Sequence, residues 1–476
     1  MNASRGSVSL LLSSGGLQEF RHTRLTGRVV CLLFWLLLFN GFGSVAFGFQ
    51  TEKIFPGELA GIDQSEAMLV DDDQPPEVQQ SFLMRLLYRA RKATPESLKR
   101  FSDYSKETAL GELLKSPKQY RGWVFRLSGQ AIAVEWFSTG ETSPEALGKY
   151  CRVRLKTETG QEVVVYSLTA PRVWSGGEAR NLSLNEPAAC YAFFAFRSPP
   201  GGEATELPCF VARRIEWFPD ESSKFAAEAG TGGVELARSG FDLGLLDLAR
   251  QHNLRPLSED ESEAFYGMLG ASDRVSRSRT GADAKAVVDF EGNEGFFRLM
   301  RDPKAGIGQA VELDLTIRRV VPVAIGPLHP STGKRFYQLD GFFKLGNTPV
   351  DVRGASGETI RYTTRFPVTV DALRLKGDPK EYEGKRVRVS GWLYRFWRFD
   401  SEFTLKEAGN DGQLAPLIMA GQIDILAETD SGPVARLAYV AIAAALGAIG
   451  FVWWISRRGV PGRPTRPTLP EKIELK

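Results

Sequence analysis

Residues 117–129 read PKQYRGWVFRLSG, and residues 379–391 read PKEYEGKRVRVSG. The two stretches agree at seven of thirteen positions and start 262 residues apart. A third stretch at 303–315, PKAGIGQAVELDL, keeps the Pro, the Lys, one Gly and one Leu. The pattern has a physical sense. Pro and Tyr close a turn after a helix, and a Gly starts a strand. Alternating apolar residues then face one way, and the final Gly (Gly129, Gly391) lets a long strand bend. Recurrence of such a run is the signature of an internally duplicated chain.

The flanking sequence supports duplication. Ahead of the first copy, Val78, Phe82, Leu83, Leu86 and Leu87 recur with helical period. Pro76 and the aspartates at 71–73 read as the lead-in to that helix. In the second half, Ser258 and Glu261 form a capping-box pattern before Ala264, Phe265, Met268 and Leu269. Each half therefore reads as helices followed by strands. Strands are expected at 125–134, 152–155, 162–168, 189–196 and 209–218, the last two flanking a Ser-Pro-Pro-Gly-Gly turn at 198–202. Further strands are expected at 310–317, 336–345 and 360–364.

The run Pro117, Tyr120, Gly122, Phe125, Leu127, Gly129, and its match Pro379, Tyr382, Gly384, Val387, Val389, Gly391, resembles the opening strand of OB-fold domains of the tRNA-anticodon-binding-like type. The resemblance implies a five-stranded barrel of the kind that binds oligonucleotides, oligosaccharides or proteins. It assigns no activity. The overall layout is also similar to that of many bacterial single-pass membrane proteins. The expected fold class is α+β: tandem small β-barrel (OB-like) units, each preceded by short helices, plus one C-terminal transmembrane helix. The expected boundaries are a first helix-plus-barrel unit at 55–220, a linker at 221–233 and a second unit at 234–370. A partial third OB-like segment follows at 371–430, either incomplete or completed by the second unit.

The two ends bear on compartment. Residues 29–39 are apolar throughout, follow Arg21, Arg24 and Arg28, and precede Ser44-Val45-Ala46. Residues 1–48 thus read as a signal peptide or an uncleaved N-terminal anchor. Residues 437–455 carry no charge, ~28 Å as a helix, enough for a bilayer core. Arg457 and Arg458 follow at once, so the positive-inside bias puts the tail, 456–476, in the cytoplasm and the bulk outside. Nucleic acid is not an expected partner in that compartment. With 60 Lys and Arg against 57 Asp and Glu, the composition does not argue for it either.

Chemistry-bearing motifs are sparse. Beyond the leader there are two histidines, His252 and His329, with no Cys or other His nearby, so no metal site is expected. The chain has no P-loop, dinucleotide fingerprint, His-Glu-x-x-His or Gly-x-Ser-x-Gly. The formal Ser-x-x-Lys at 331–334 lies in a turn-like loop without companion motifs. No catalytic residue and no cofactor is expected. Cys190 and Cys209 straddle the 198–202 turn and would face each other across a hairpin, as a disulfide or as two buried thiols; Cys151 is left over. The run Trp392, Leu393, Tyr394, Arg395, Phe396, Trp397, Arg398, Phe399 interleaves aromatics with Arg. It is the candidate ligand or domain-contact surface, and packing between domains is favoured because both faces are apolar. Arg213-Arg214 and Arg318-Arg319 are expected as exposed strand ends.

The expected function is a membrane-tethered, extracytoplasmic binding or assembly protein whose partner is a protein or polysaccharide. The alternatives are a carboxylate-based hydrolase acting on cell-wall polymer and a periplasmic oligonucleotide- or oligosaccharide-binding protein.

Overall fold

The computed structural model describes Val70, Asp72 and residues 80–457, apart from 107, 139–147, 176–180, 199–205, 280–287, 327–328, 330–331, 354–358, 400–412 and 428–431. These residues belong to one compact unit, Phe55–Lys476. The signal or anchor reading of 1–48 and the tail reading beyond Arg457 lie outside the described residues.

Helices α1 (Gln80–Lys92), α2 (Pro95–Ser102), α3 (Leu110–Lys115) and α4 (Pro117–Tyr120) come first. Then follow β1 (Val124–Ser138), β2 (Lys149–Thr157), β3 (Glu162–Ser167), β4 (Asn181–Arg197), β5 (Pro208–Ala212) and the short β6 (Glu216–Trp217). The first five strands close on themselves in the order β1-β2-β3-β5-β4-β1, with β6 added beside β4. Only the β3–β5 pair is parallel.

Helices α5 (Ala226–Arg238), α6 (Leu246–Gln251) and α7 (Ser262–Ser278) lead to a second set of strands. These are β7 (Phe290–Glu291), then helix α8 (Gly292–Arg301), β8 (Ala310–Ala324), β9 (Arg335–Lys344), the separate hairpin of β10 (Val350–Arg353) and β11 (Thr359–Tyr362), β12 (Arg365–Ala372), β13 (Arg386–Phe399) and β14 (Gln413–Ile425). The closing order is β8-β9-β12-β14-β13-β8, and β12–β14 is its parallel pair. Counted along each barrel, both follow 1-2-3-5-4-1. That order fits an OB-like fold, and closure removes exposed sheet edges.

The topology corrects two sequence expectations. Residues 371–430 are not a third unit: β13 and β14 are strands four and five of the second barrel, and β12 crosses the expected boundary at 370. Residues 221–233 are not a free linker. They enter α5, whose Gly230 leaves the helical region at φ 69°, and Gly232 and Gly233 are buried. A Cβ at Gly232 would stand 2.5 Å from the amide of Ala310, so the small residues serve close packing on β8. Asp72 is buried and ion-paired with buried Arg121; the helix start expected at Pro76 lies outside the described residues.

The two matching signatures prove locally alike but globally inequivalent. Pro117–Tyr120 and Pro379–Tyr382 each form one turn of helix, followed by a left-handed Gly (Gly122, φ 83°; Gly384, φ 79°) and a long strand. Yet β1 is strand one of its barrel and β13 is strand four. The counterpart of β1 is β8, which follows the faintest of the three copies; both strands are 15 residues long.

Strand alternation fills the barrels. Leu127, Val153, Leu155, Val163, Val165 and Phe210 line the first, and Leu313, Leu315, Leu339, Val368, Val370 and Val389 the second. Phe296 of α8 enters the second core, stacked on Phe343 at 4.0 Å. One continuous apolar cluster runs through both barrels by way of α5, α6 and α7. Among the described residues no helix is long and apolar enough to cross a membrane. The last helix, α9 (Gly432–Arg457), has described side chains only from Val440 to Trp454.

Candidate functional site

The Trp392–Arg398 stretch is a buried seam. Trp392 and Tyr394 are enclosed; Trp392 Nε1 donates to Gly232 O at 2.9 Å and the Tyr394 hydroxyl to Glu261 Oε2 at 3.1 Å. Arg395 is fully buried. Its Nε and Nη2 donate to Glu261 at 2.7 and 2.8 Å, Nη1 to the carbonyls of His252 and Arg255 at 2.8 and 2.7 Å, and Nη2 to Pro256 O at 2.9 Å. A buried guanidinium is tolerated when its donors are satisfied and a carboxylate neutralises it, as here. Trp397 is half-buried and stacked on Phe399 (5.0 Å, 23°), with its Nε1–H unpartnered. The Arg398 amide donates to Arg255 O at 3.1 Å. The run therefore joins the second barrel to residues 252–261 and offers no open stacking surface.

The same seam holds His252, Ser258 and Asp260. Ser258 Oγ lies 3.1 Å from His252 Nδ1, and Asp260 lies 3.9 Å from Nε2. Ser258 is occupied as the capping residue of Glu259–Glu261, its partner in that box being Glu261. A hydroxyl bound to two carboxylates and a ring nitrogen shared with Glu261 is a cap, not an activated nucleophile.

All three described cysteines are free and buried, which corrects the disulfide expectation. The β4–β5 register sets Cys209 opposite Phe196, while Cys190 faces Leu127 of β1. Burial pushes each thiol up to about 12. His329 packs against Tyr266, 4.5 Å between ring centroids. Among the described residues no cluster of His, Cys, Asp and Glu could hold a metal. Arg213 and Arg214 are not exposed strand ends either: both pair with Glu263 of α7, at 2.9 and 2.7 Å. Arg214 also lies 3.2 Å from Asp242, whose buried carboxyl is raised to about 6 by desolvation.

The outer faces of the barrels remain, above all strands two and three, which OB-like folds use for ligands. In the first barrel that face is covered at one end, while toward the other the side chains of Arg152, Arg154 and Glu162 are 35–42% exposed and Lys156 is exposed. Tyr150, Val164 and Tyr166 on β2 and β3, with Phe193, Phe196 and Val211, pack under Leu83, Leu86, Leu87, Leu98 and Phe101 of α1 and α2. Fully burying each such side chain stabilises by ~1.5–3 kcal/mol, so this cover is part of the fold.

In the second barrel the matching face is likewise covered at one end. Helix α7 packs on β14, β13 and β12. Near it Thr369 and Asp371 are 2% exposed. Asp371 Oδ1 lacks a hydrogen-bond partner. Burial, reinforced by the Asp340 carboxylate on β9, holds its carboxyl well above the usual range. Gln338 and Asp340, opposite Asp371 and Thr369 on β9, are half-buried, and toward the other end the face opens: Phe342, opposite buried Pro367, is half-buried, and Lys344 and Arg365 are exposed. Arg319 donates to Asp340 Oδ2 at 3.0 and 2.6 Å. This site was missed from sequence because β12 was not recognised, and Arg365 gains meaning only once β12 is laid beside β9. A groove of about 890 Å³ between α8 and the β10–β11 hairpin, lined by Leu254, Phe297, Met300, Val350 and Val352, is the other sizeable concavity of this half. Its charged rim, Arg298, Arg301 and Lys304 with Glu294, Asp302 and Asp351, is balanced.

No family model matches the chain. No curated protein matches it. Among solved structures, a deletion variant of the single-stranded DNA binding protein from Thermus aquaticus is similar at 10% identity, over 64% of this chain and 94% of that one, with a TM-score of 0.13. A superposition that loose carries no argument; the OB-like assignment stands on the strand order.

Proposed function

We propose that the chain is a membrane-tethered binding protein that presents the open face of its second barrel outside the cytoplasm. One observation carries the reading: two barrels of the same strand order leave one end of the same face open and charge it differently. In the first, Arg152 pairs with Glu135 and Arg154 with Glu162; in the second, Lys344 and Arg365 stand exposed at facing positions with no carboxylate partner among the described residues. A repeated binding fold whose open end is ion-paired in one barrel and cationic in the other reads as a structural barrel carrying a ligand barrel. The tether is supported by α9, where Val440, Ile442, Leu446, Ile449, Phe451 and Val452 are each 57–65% exposed. Apolar side chains held so far open in water are costly, and lipid removes the cost.

A hydrolase reading is not favoured. Asp340 and Asp371 stand near one another on adjacent strands, but Asp371 is enclosed and Asp340 is engaged by Arg319 and Gln338.

The test is a photoreactive side chain placed at Phe342 in the full-length chain, irradiated in the cells that make it. The reading expects a reproducible adduct at Phe342 and none at Tyr166, which is buried on β3 under α1 and α2. Adducts at Tyr166 alone, or at neither position, would reject it.

A further inference from the structure

On both barrels a strand arginine generally has a carboxylate beside it. Arg126 pairs with Glu216 at 2.8 Å, Arg154 with Glu162 at 2.7 Å, Arg319 with Asp340 at 2.6 Å and Arg388 with Asp314 at 2.9 Å. Lys344 and Arg365 break the pattern. They are direct partners across the antiparallel β9–β12 ladder, both are exposed, and among the described residues no carboxylate pairs with either. Like charges at facing positions destabilise a sheet, so the fold carries a repulsion that a bound anion would relieve. The Arg365 guanidinium also lies over the half-buried Phe342 ring, 5.6 Å from its centroid.

The neighbouring strand extends the positive stretch. A bulge between Ile317 and Arg319 leaves Arg318 exposed beside Arg319. Bulges re-aim a side chain in this way. Arg319 faces Asp340, four residues along β9 from Lys344, about 13 Å at strand rise. The open face thus presents cations at two levels, with one aromatic ring between them.

We infer that this face binds an acidic linear glycan, its anionic groups against Lys344, Arg365 and Arg318 and one sugar face on Phe342. The inference rests on the proposal that the second barrel is the ligand barrel and names the ligand's class. A glycan fits better than the competing polymers. Single-stranded nucleic acid is held by successive stacking rings. This stretch of face offers one ring, already shared with Arg365. A protein interface is built around a buried apolar centre, and here cations surround a single phenyl group.

The experiment titrates the full-length chain in detergent with heparin as the probe, from about 50 to about 300 mM salt, where ion-driven binding falls steeply. Binding that weakens with salt is expected. Replacing Lys344→Gln together with Arg365→Gln should lower the slope of log affinity against log salt by about two. Phe342→Ala should weaken binding and leave that slope alone. Lys344→Glu creates a facing ion pair with Arg365, so it should raise the melting temperature while binding falls, which separates lost recognition from lost folding. Heparin affinity indifferent to these substitutions overturns the inference, as does tighter binding of an oligothymidylate of equal charge. Salt-independent binding of uncharged dextran at Phe342 also overturns the acidic class, and it would leave the ligand-barrel reading standing. That reading fails on a different result, the absence of any adduct at Phe342.

Discussion

At the scale of single residues, Arg395 shows how far a side chain's role depends on partners remote in the chain. Its carboxylate, Glu261, lies 134 positions away. Removing one member of a buried pair strands the other's charge, so Arg395→Ala should destabilise the fold by about 3–5 kcal/mol, read by urea denaturation. Sequence alone suggested that these arginines meet acids within a packed strand, and read Ser258 with Glu261 as a helix cap. It could not join the two readings, because nothing local to either segment encodes their approach. The disulfide expectation failed for a related reason. It assumed a hairpin symmetric about the 198–202 turn, whereas Arg197 pairs with Pro208 and Phe196 with Cys209, and the bulge between Phe194 and Phe196 takes back only one residue of that offset.

Asp371 makes a prediction about pH. Its folded carboxyl is raised above the unfolded value of ~3.9. The folded state therefore binds more protons than the unfolded one between those two values. The stabilisation is complete below ~pH 4 and is lost as pH rises through the folded value. Asp371→Asn should flatten that decline. Asp242, raised to about 6, contributes its own decline equally in both proteins, so the difference between their stability profiles isolates Asp371. Identical profiles would contradict the assignment.

At the scale of elements, the repeated signature encodes a way of starting a strand. A Pro-led turn, a left-handed Gly and a later Gly where strands crowd recur at β1 and β13, although the two strands hold different places in their barrels. The closing glycines explain why the motif is strict. A Cβ at Gly391 would stand 2.5 Å from the Met419 carbonyl oxygen, and one at Gly129 2.0 Å from that of Lys156. Gly391→Ala should cost about 2–4 kcal/mol, measured by thermal or urea unfolding, because backbone on the facing strand cannot move aside cheaply. Most strands were thus legible from sequence, with β12 and β14 among the exceptions, while strand order was not. Alternation reports a face, and parallel pairing of β12 with β14 leaves no local mark. At the open face, Lys344→Glu should stabilise by about 0.2–1 kcal/mol by turning a facing repulsion into an attraction.

At the scale of the whole molecule, the continuous core through α5, α6 and α7 makes the two barrels one folding unit. The boundaries drawn from sequence at 220 and 370 fell where composition changes, but α5 and β12 show that the chain packs through both places. The proposed tether and its side of the membrane rest on residues 437–455 and their flanking arginines, so they are read from sequence and lipid physics. The most direct test is cysteine labelling in intact cells with a membrane-impermeant maleimide, in a background where Cys31 is replaced by Ser. Thr316→Cys, exposed on β8, should label without permeabilisation, and Lys472→Cys only after it. Labelling of Lys472→Cys from outside, with Thr316→Cys protected, would contradict the account.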